Sequence, residues 1–244
     1  MSLNESIVEE AALSWFAELG YQIGHGPHIA PGEPASERDS FADVVLAGRL
    51  RTAVQRLNPE VPGDAREDAV RKVLRQESAS LVRNNAAFHR MLRDGVDVEY
   101  RRPDGSTKTD KVWLIDFSDP DANDWFCVNQ FTVIEDHHNR RPDVVVFVNG
   151  LPLSLVELKN AANEDTTIWN AYAQVQTYKA EIPSLLRYNE VLVLSDGLEA
   201  RIGSITATQE WFKVWRTISG EGDAPKLLTE LEVMVRGVFD KARF

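Results

Sequence analysis

One cysteine, Cys127, stands among 244 residues, which excludes an intramolecular disulfide and any multi-cysteine metal centre. A lone thiol inside an apolar run reads as a buried strand residue rather than a redox group. No stretch reaches the roughly 18 consecutive apolar residues of a membrane span. The first residues, MSLNESIVEEAALSWF, lack the basic start and apolar core of a secretory leader. A cytoplasmic protein with no membrane partner is therefore expected. The pattern G-x-x-x-x-G-K-[ST] does not occur, so the chain has no P-loop of its own. Positive charge is scarce too, since 27 Lys and Arg face 38 Asp and Glu for a formal net charge of −11. Nonspecific nucleic-acid affinity comes mainly from Lys and Arg neutralising phosphates. If this chain works on DNA, something else is expected to hold the DNA.

What remains is the composition of an ordinary globular protein, 43% hydrophobic and 27% charged, long enough for one large α/β domain. Ile7 to Leu19 has apolar residues at helical spacing and Gly20 as a stop. Glu9 is the oddity on that helix, because it shares a face with Ala12, Leu13 and Phe16. A Gly/Pro-rich stretch, GHGPHIAPGEPASERDSF, reads as an irregular loop. From Val45 to about Arg93 the pattern is helical, broken at Pro59 and Pro62, and reads as a helical insertion. The chain then turns β-rich, with two runs around Pro103-Asp104-Gly105 followed by FCVNQFTVIE, VVVFVNG and LSLVELK. Asp165 or Thr166 is expected to cap a helix running to about Glu181 and limited by Pro183. EVLVLSDG and LEARIGSI read as a hairpin, and LLTELEVMVRGVFDKARF as a helix running to the chain end.

The chemistry concentrates in RRPDVVVFVNGLPLSLVELKN, Arg140 to Asn160, where two apolar strands flank Asn149-Gly150 and carry Asp143, Glu157 and Lys159 at their edges. Residues i and i+2 of a strand share a face, so Glu157 and Lys159 project together while Leu158 points the other way. Carboxylates from Asp143 and Glu157 would make a small site for a hard divalent cation such as Mg2+, with Lys159 beside it to offset charge on a phosphate. An ideal two-residue hairpin at Asn149-Gly150 would pair Asp143 with Val156 and put the two acids on opposite faces. A shared site therefore requires a three-residue loop or a bulge, and Pro152 is a natural place for irregular pairing. Glu-x-Lys by itself is a weak signal whose ordinary reading is a strand end reaching solvent. Pro-Asp, a hairpin turn and Glu-x-Lys in succession are more specific.

That arrangement resembles the PD-(D/E)xK nuclease superfamily, and the flanks narrow the resemblance. VNQFTVIEDHHNRRPDVVVFVNGLPLSLVELKN, TIWNAYAQVQTYKAEIPSLLRYNEVLVLSDGLEARIGS and VEEAALSWFAELGYQIGHGPHIAPGE resemble the N-terminal nuclease region of the R (HsdR) subunit of type I restriction enzymes. The similarity runs over nearly the whole chain and implies a restriction-endonuclease-like α/β fold, with a mixed central sheet flanked by helices and a helical insertion after the first helix. It implies an endonuclease that cuts double-stranded DNA with Mg2+ after an ATP-driven motor of the same subunit has translocated it. Methylation and specificity subunits are the implied partners, and ATP belongs to the full-length subunit only. Asp143 and Glu157 match the family's metal-binding carboxylates, Lys159 its catalytic lysine, and Glu9 an acidic residue of the first helix. Gln174 and Tyr178 match its Gln-x-x-x-Tyr motif, where i, i+4 spacing puts both on one helix face to contact DNA. The reading by domains is an endonuclease domain over 1–220 with its insertion at about 45–93, then a C-terminal helix over 221–244 leading toward a motor.

His137, His138, Arg140 and Arg141 form a polar, basic approach to Asp143 that could reach phosphates or be a solvated turn. His25 and His28 have no third ligand at zinc spacing. Against the nuclease stands a non-catalytic docking module of the same complex, which would have no need of Asp143, Glu157 and Lys159 together. A structure-specific or RNA nuclease with the same chemistry is disfavoured by the family-specific flanks. The charge balance predicts that the 244-residue chain alone binds duplex DNA weakly and with steep salt dependence, and cuts it poorly. Fluorescence anisotropy across a salt series checks this, and tight binding at physiological salt would contradict it.

Overall fold

The computed structural model describes residues 5–159 and 167–244. In chain order these hold α1 (Glu5–Glu18), β1 (Gln22–His25), α2 (Ala47–Leu57), α3 (Gly63–Leu74), α4 (Leu81–Asp94), β2 (Val96–Arg101) and β3 (Thr107–Val112). Then come β4 (Trp125–Asn129), β5 (Val133–Glu135), β6 (His138–Arg140), β7 (Val144–Val148), β8 (Leu151–Leu158), α5 (Ile168–Glu181), α6 (Pro183–Leu186), β9 (Val191–Ser195), β10 (Ala200–Gly203) and α7 (Glu230–Val238). The sheet is six-stranded in the order β1-β4-β7-β8-β9-β10. It is mixed: β1 runs parallel to β4 and β8 to β9, while the other neighbouring pairs are antiparallel. Every residue of β4, β7 and β8 is buried, which is why VVVFV and LPLSLVEL read as unbroken apolar runs rather than alternating ones. The chain has the mixed-sheet α/β architecture of restriction-endonuclease-like proteins.

The helical stretch after the first helix resolves into α2, α3 and α4, with α3 packed on the β2–β3 hairpin. Asp165 and Thr166, read as cap candidates for α5, lie outside the described residues. In the structure Thr167 is the cap residue of α5, and its N–H donates to Asn170 Oδ1 at 2.7 Å. The C-terminal helix is shorter than read. It stops at Val238, where Arg243 Nε donates to the Gly237 carbonyl at 2.7 Å and caps the helix end. The last residues turn back, bringing the Phe244 ring 5.0 Å from Phe239. The α7 helix packs on α1, and the Tyr21 hydroxyl donates to the Phe239 carbonyl at 2.9 Å. Cys127 is buried in β4, as a lone thiol on an apolar strand should be.

The β7–β8 turn is the most constrained connection. Asn149 and Gly150 both have positive φ, +51° and +79°, the handedness a two-residue hairpin needs. The turn is also buried. Asn149 Nδ2 donates to the Leu114 carbonyl and to Asn123 Oδ1, each at 2.9 Å, and Asn149 Oδ1 accepts the Asp124 N–H at 2.8 Å. The Gly150 carbonyl accepts the Leu46 N–H at 2.9 Å, at the start of α2. A Cβ on Gly150 would lie 2.4 Å from the Leu46 carbonyl oxygen, so backbone would have to move. Gly150→Ala should therefore lower stability by about 2–4 kcal/mol, combining left-handed strain with overpacking. Gly32→Ala, also at positive φ but with open space around it, should cost only about 1 kcal/mol. Urea unfolding of the two variants measures the difference.

Candidate active site

The irregular pairing required by side-chain parity is present. From the turn, Val148 pairs with Leu151 and Phe147 with Pro152, then the register shifts and Val146 pairs with Ser154. Leu153 is the extra residue, next to Pro152. Beyond the bulge Val144 pairs with Val156, and the same register carries Asp143 opposite Glu157. Directly opposed residues face the same side of a sheet, so one inserted residue brings the two acids together.

Hydrogen bonds fix each end of this pair. Asp143 Oδ2 accepts the Leu158 N–H at 2.7 Å, and the Asp143 carbonyl accepts the Gln130 N–H at 2.9 Å. Glu157 is 2% exposed, and its Oε1 accepts a hydrogen bond from Lys159 Nζ at 2.8 Å. A carboxylate this deeply buried needs such a partner, because desolvation costs several kcal/mol per ion. The Lys159 side chain remains 21% exposed, so the pair lies at the edge of the sheet rather than sealed within it. Oxygen donors on opposed strands suit a hard divalent cation that takes its other ligands from water or phosphate. Among the described residues no third His, Cys, Asp or Glu joins them in a metal-binding cluster.

Helix α5 brings its motif residues to the same place. Ala171, Val175 and Tyr178 are buried and Gln174 is half-buried. Burial pushes the Tyr178 hydroxyl well above the usual phenol range, reinforced by the Glu157 and Asp143 charges and a hydrogen bond to Glu157. A hydrogen bond with Gln174 acts in the opposite direction. Tyr178 is thus a neutral hydroxyl against the acidic pair.

Glu9, on the first helix, is 9% exposed and meets β4. Its Oε1 accepts from Asn129 Nδ2 at 2.7 Å and its Oε2 from the side-chain amide of Gln130. Sequence reasoning passed over Asn129 and Gln130, since VNQF carries no charge and no periodic signal. Only the register β1–β4–β7, with Asn129 between His25 and Val144, reveals them. Arg140 pairs with Glu181 at the end of α5, and His138 Nδ1 lies 3.5 Å from the same carboxylate. Arg141 is exposed, as is His137. His25 and His28 stack edge to face, with ring centroids 4.9 Å apart.

Removing the Lys159 ammonium should leave Glu157 short of charge compensation. Lys159→Met is expected to destabilise the fold by about 2 kcal/mol, below the 3–5 kcal/mol of a fully buried pair because the lysine is partly solvated. Lys159→Arg should recover part of the loss in the same denaturation assay.

Residues 2–211 match the family described as type I restriction enzyme R protein N terminus. The chain is 35% identical over 239 residues to the type I restriction enzyme HindI endonuclease subunit of Haemophilus influenzae, an alignment covering 97% of this chain and 23% of that protein. It is 31% identical over 259 residues to the putative type I restriction enzyme MjaIXP endonuclease subunit of Methanocaldococcus jannaschii, covering 98% of this chain and 24% of the relative. The chain thus spans about a quarter of the length of these relatives. With a family match across most of its length, the chain belongs to the type I restriction enzyme R protein N-terminal family.

Proposed function

We propose that this chain is the endonuclease module of a type I restriction enzyme R subunit, hydrolysing phosphodiester bonds of double-stranded DNA with Mg2+. The observation that carries the reading is the bulge at Leu153, which sets Asp143 opposite Glu157 with Lys159 on the same face. Asp143 and Glu157 would hold the cation, which when bound supplies Lewis-acid activation and charge neutralisation. The ammonium of Lys159 orients the attacking water and offsets charge developing on the phosphate. In the reaction water oxygen bonds to phosphorus, a P–O ester bond breaks, and the leaving oxygen takes up a proton. Glu9 adds a third acid held at the edge of the site. Gln174 and Tyr178 contact the DNA strand, Arg141 reaches phosphate, and Arg140 does so from its pairing with Glu181.

On this reading residues 1–220 form the nuclease, with its helical insertion, and 221–244 lead toward an ATP-driven motor of the same subunit. The motor and the methylation and specificity subunits supply the grip on DNA that a net charge of −11 denies this chain. The setting is the cytoplasm. None of the described helices is long and apolar enough to cross a membrane. A docking module without catalysis is the rival, and the facing acids with their lysine weigh against it.

Asp143→Ala and Lys159→Ala, each placed in the assembled restriction enzyme, should abolish DNA cleavage while ATP-driven translocation continues. Cleavage that persists in both variants would sink the catalytic assignment.

A further inference from the structure

The contacts of Glu9 determine more than its position. An ionised carboxylate oxygen only accepts, so the NH2 side of the Asn129 amide must face Glu9, and its Oδ1 must face the other way. That oxygen lies 2.7 Å from His25 Nδ1, and an amide oxygen also only accepts. The hydrogen between them therefore belongs to His25 Nδ1, and Nε2 of the neutral ring is left with the lone pair. Both halves of the arrangement are built in by the backbone. Parallel pairing of β1 with β4 sets His25 beside Asn129, which is only 9% exposed. Gln130 adopts φ +54°, a left-handed conformation that costs a residue with a side chain energy. In that conformation its side-chain amide reaches Glu9 while its backbone N–H holds the Asp143 carbonyl. One dipeptide thus ties the first-helix acid, a histidine and the strand-end acid to a common frame.

We propose that Asn129 and Gln130 are the positioning residues of this site: they hold Glu9 as a carboxylate aimed toward the Asp143 end, and through Asn129 they fix His25 as the Nδ1–H tautomer with Nε2 presented as an acceptor. The part that concerns cleavage rests on the nuclease reading above. The part that concerns the clamp stands apart from it.

Two measurements test the proposal. Nitrogen NMR of the 244-residue chain at alkaline pH, where an imidazole is neutral, should show His25 as the Nδ1–H tautomer. Asn129→Ala should convert it to a mixture or to Nε2–H, while Asp143→Ala leaves it unchanged. A wild-type His25 in the Nε2–H form, or averaging both forms, overturns the clamp whatever the enzyme does. In the assembled enzyme, the near-isosteric Asn129→Asp and Gln130→Glu turn donors into acceptors facing Glu9. Each should reduce cleavage roughly tenfold or more with translocation retained. A residue needed only for its shape would tolerate the swap, so unchanged cleavage in both variants refutes the positioning role. Should Asp143→Ala retain cleavage, the nuclease reading fails while the tautomer result still judges the clamp.

Discussion

The structure depends on the side-chain parity of one hairpin. A strand places successive residues on opposite faces, so the pairing of β7 with β8 decides whether Asp143 and Glu157 meet or are separated by the full sheet. The Asn149-Gly150 turn starts the register one way, and the bulge at Leu153 reverses it. The turn is pinned by burial, because Asn149 satisfies Leu114, Asn123 and Asp124 and Gly150 receives the first turn of α2. A register slip would unmake those hydrogen bonds as well as part the acids. The same contacts that seat the helical region on the sheet therefore hold Asp143 opposite Glu157 at the far end of the hairpin.

Charge is managed locally in a chain that is acidic as a whole. Glu157 sits nearly out of water, which is tolerable only with the Lys159 ammonium and the Tyr178 hydroxyl against it. Asp143 is held by a backbone N–H from the next strand, and Glu9 by two amide groups. The donors to the three acids thus differ in kind: an ammonium on Glu157, a backbone N–H on Asp143 and two side-chain amides on Glu9. On the nuclease reading proposed above, the carboxylate oxygens of Asp143 and Glu157 suit a hard divalent cation. On the same reading, a net charge of −11 is compatible with a nuclease whose grip on DNA comes from other parts of the enzyme.

Three strands and two helices converge on this end of the sheet. The first helix delivers Glu9, the end of β4 delivers Asn129 and the adjoining Gln130, the ends of β7 and β8 deliver the facing acids and the adjoining lysine, and α5 delivers Gln174 and Tyr178. Contributions from segments more than 160 residues apart in the chain require the mixed sheet to bring them together. Arg140 pairs with Glu181 and so ties the β5–β6 hairpin to the end of α5.

Much of this was legible in the residues themselves. Periodicity placed α1 and the unbroken strands, the punctuation by Asn-Gly and Pro-Asp-Gly placed the hairpins, and Glu9 stood out as an acid on an apolar face. Parity alone demanded a bulge, because the alternation of side chains is a property of any strand. The local pattern could not supply the partners. Whether the irregularity fell in the turn or at Leu153, that the Asn-Gly turn would be buried under α2, and that α7 would end early beneath Arg243 all depend on contacts between distant segments. The neutral dipeptide Asn129-Gln130 is the clearest case. Nothing in its composition marks it, and its donors acquire meaning only when parallel and antiparallel pairing set it between a histidine and two acids.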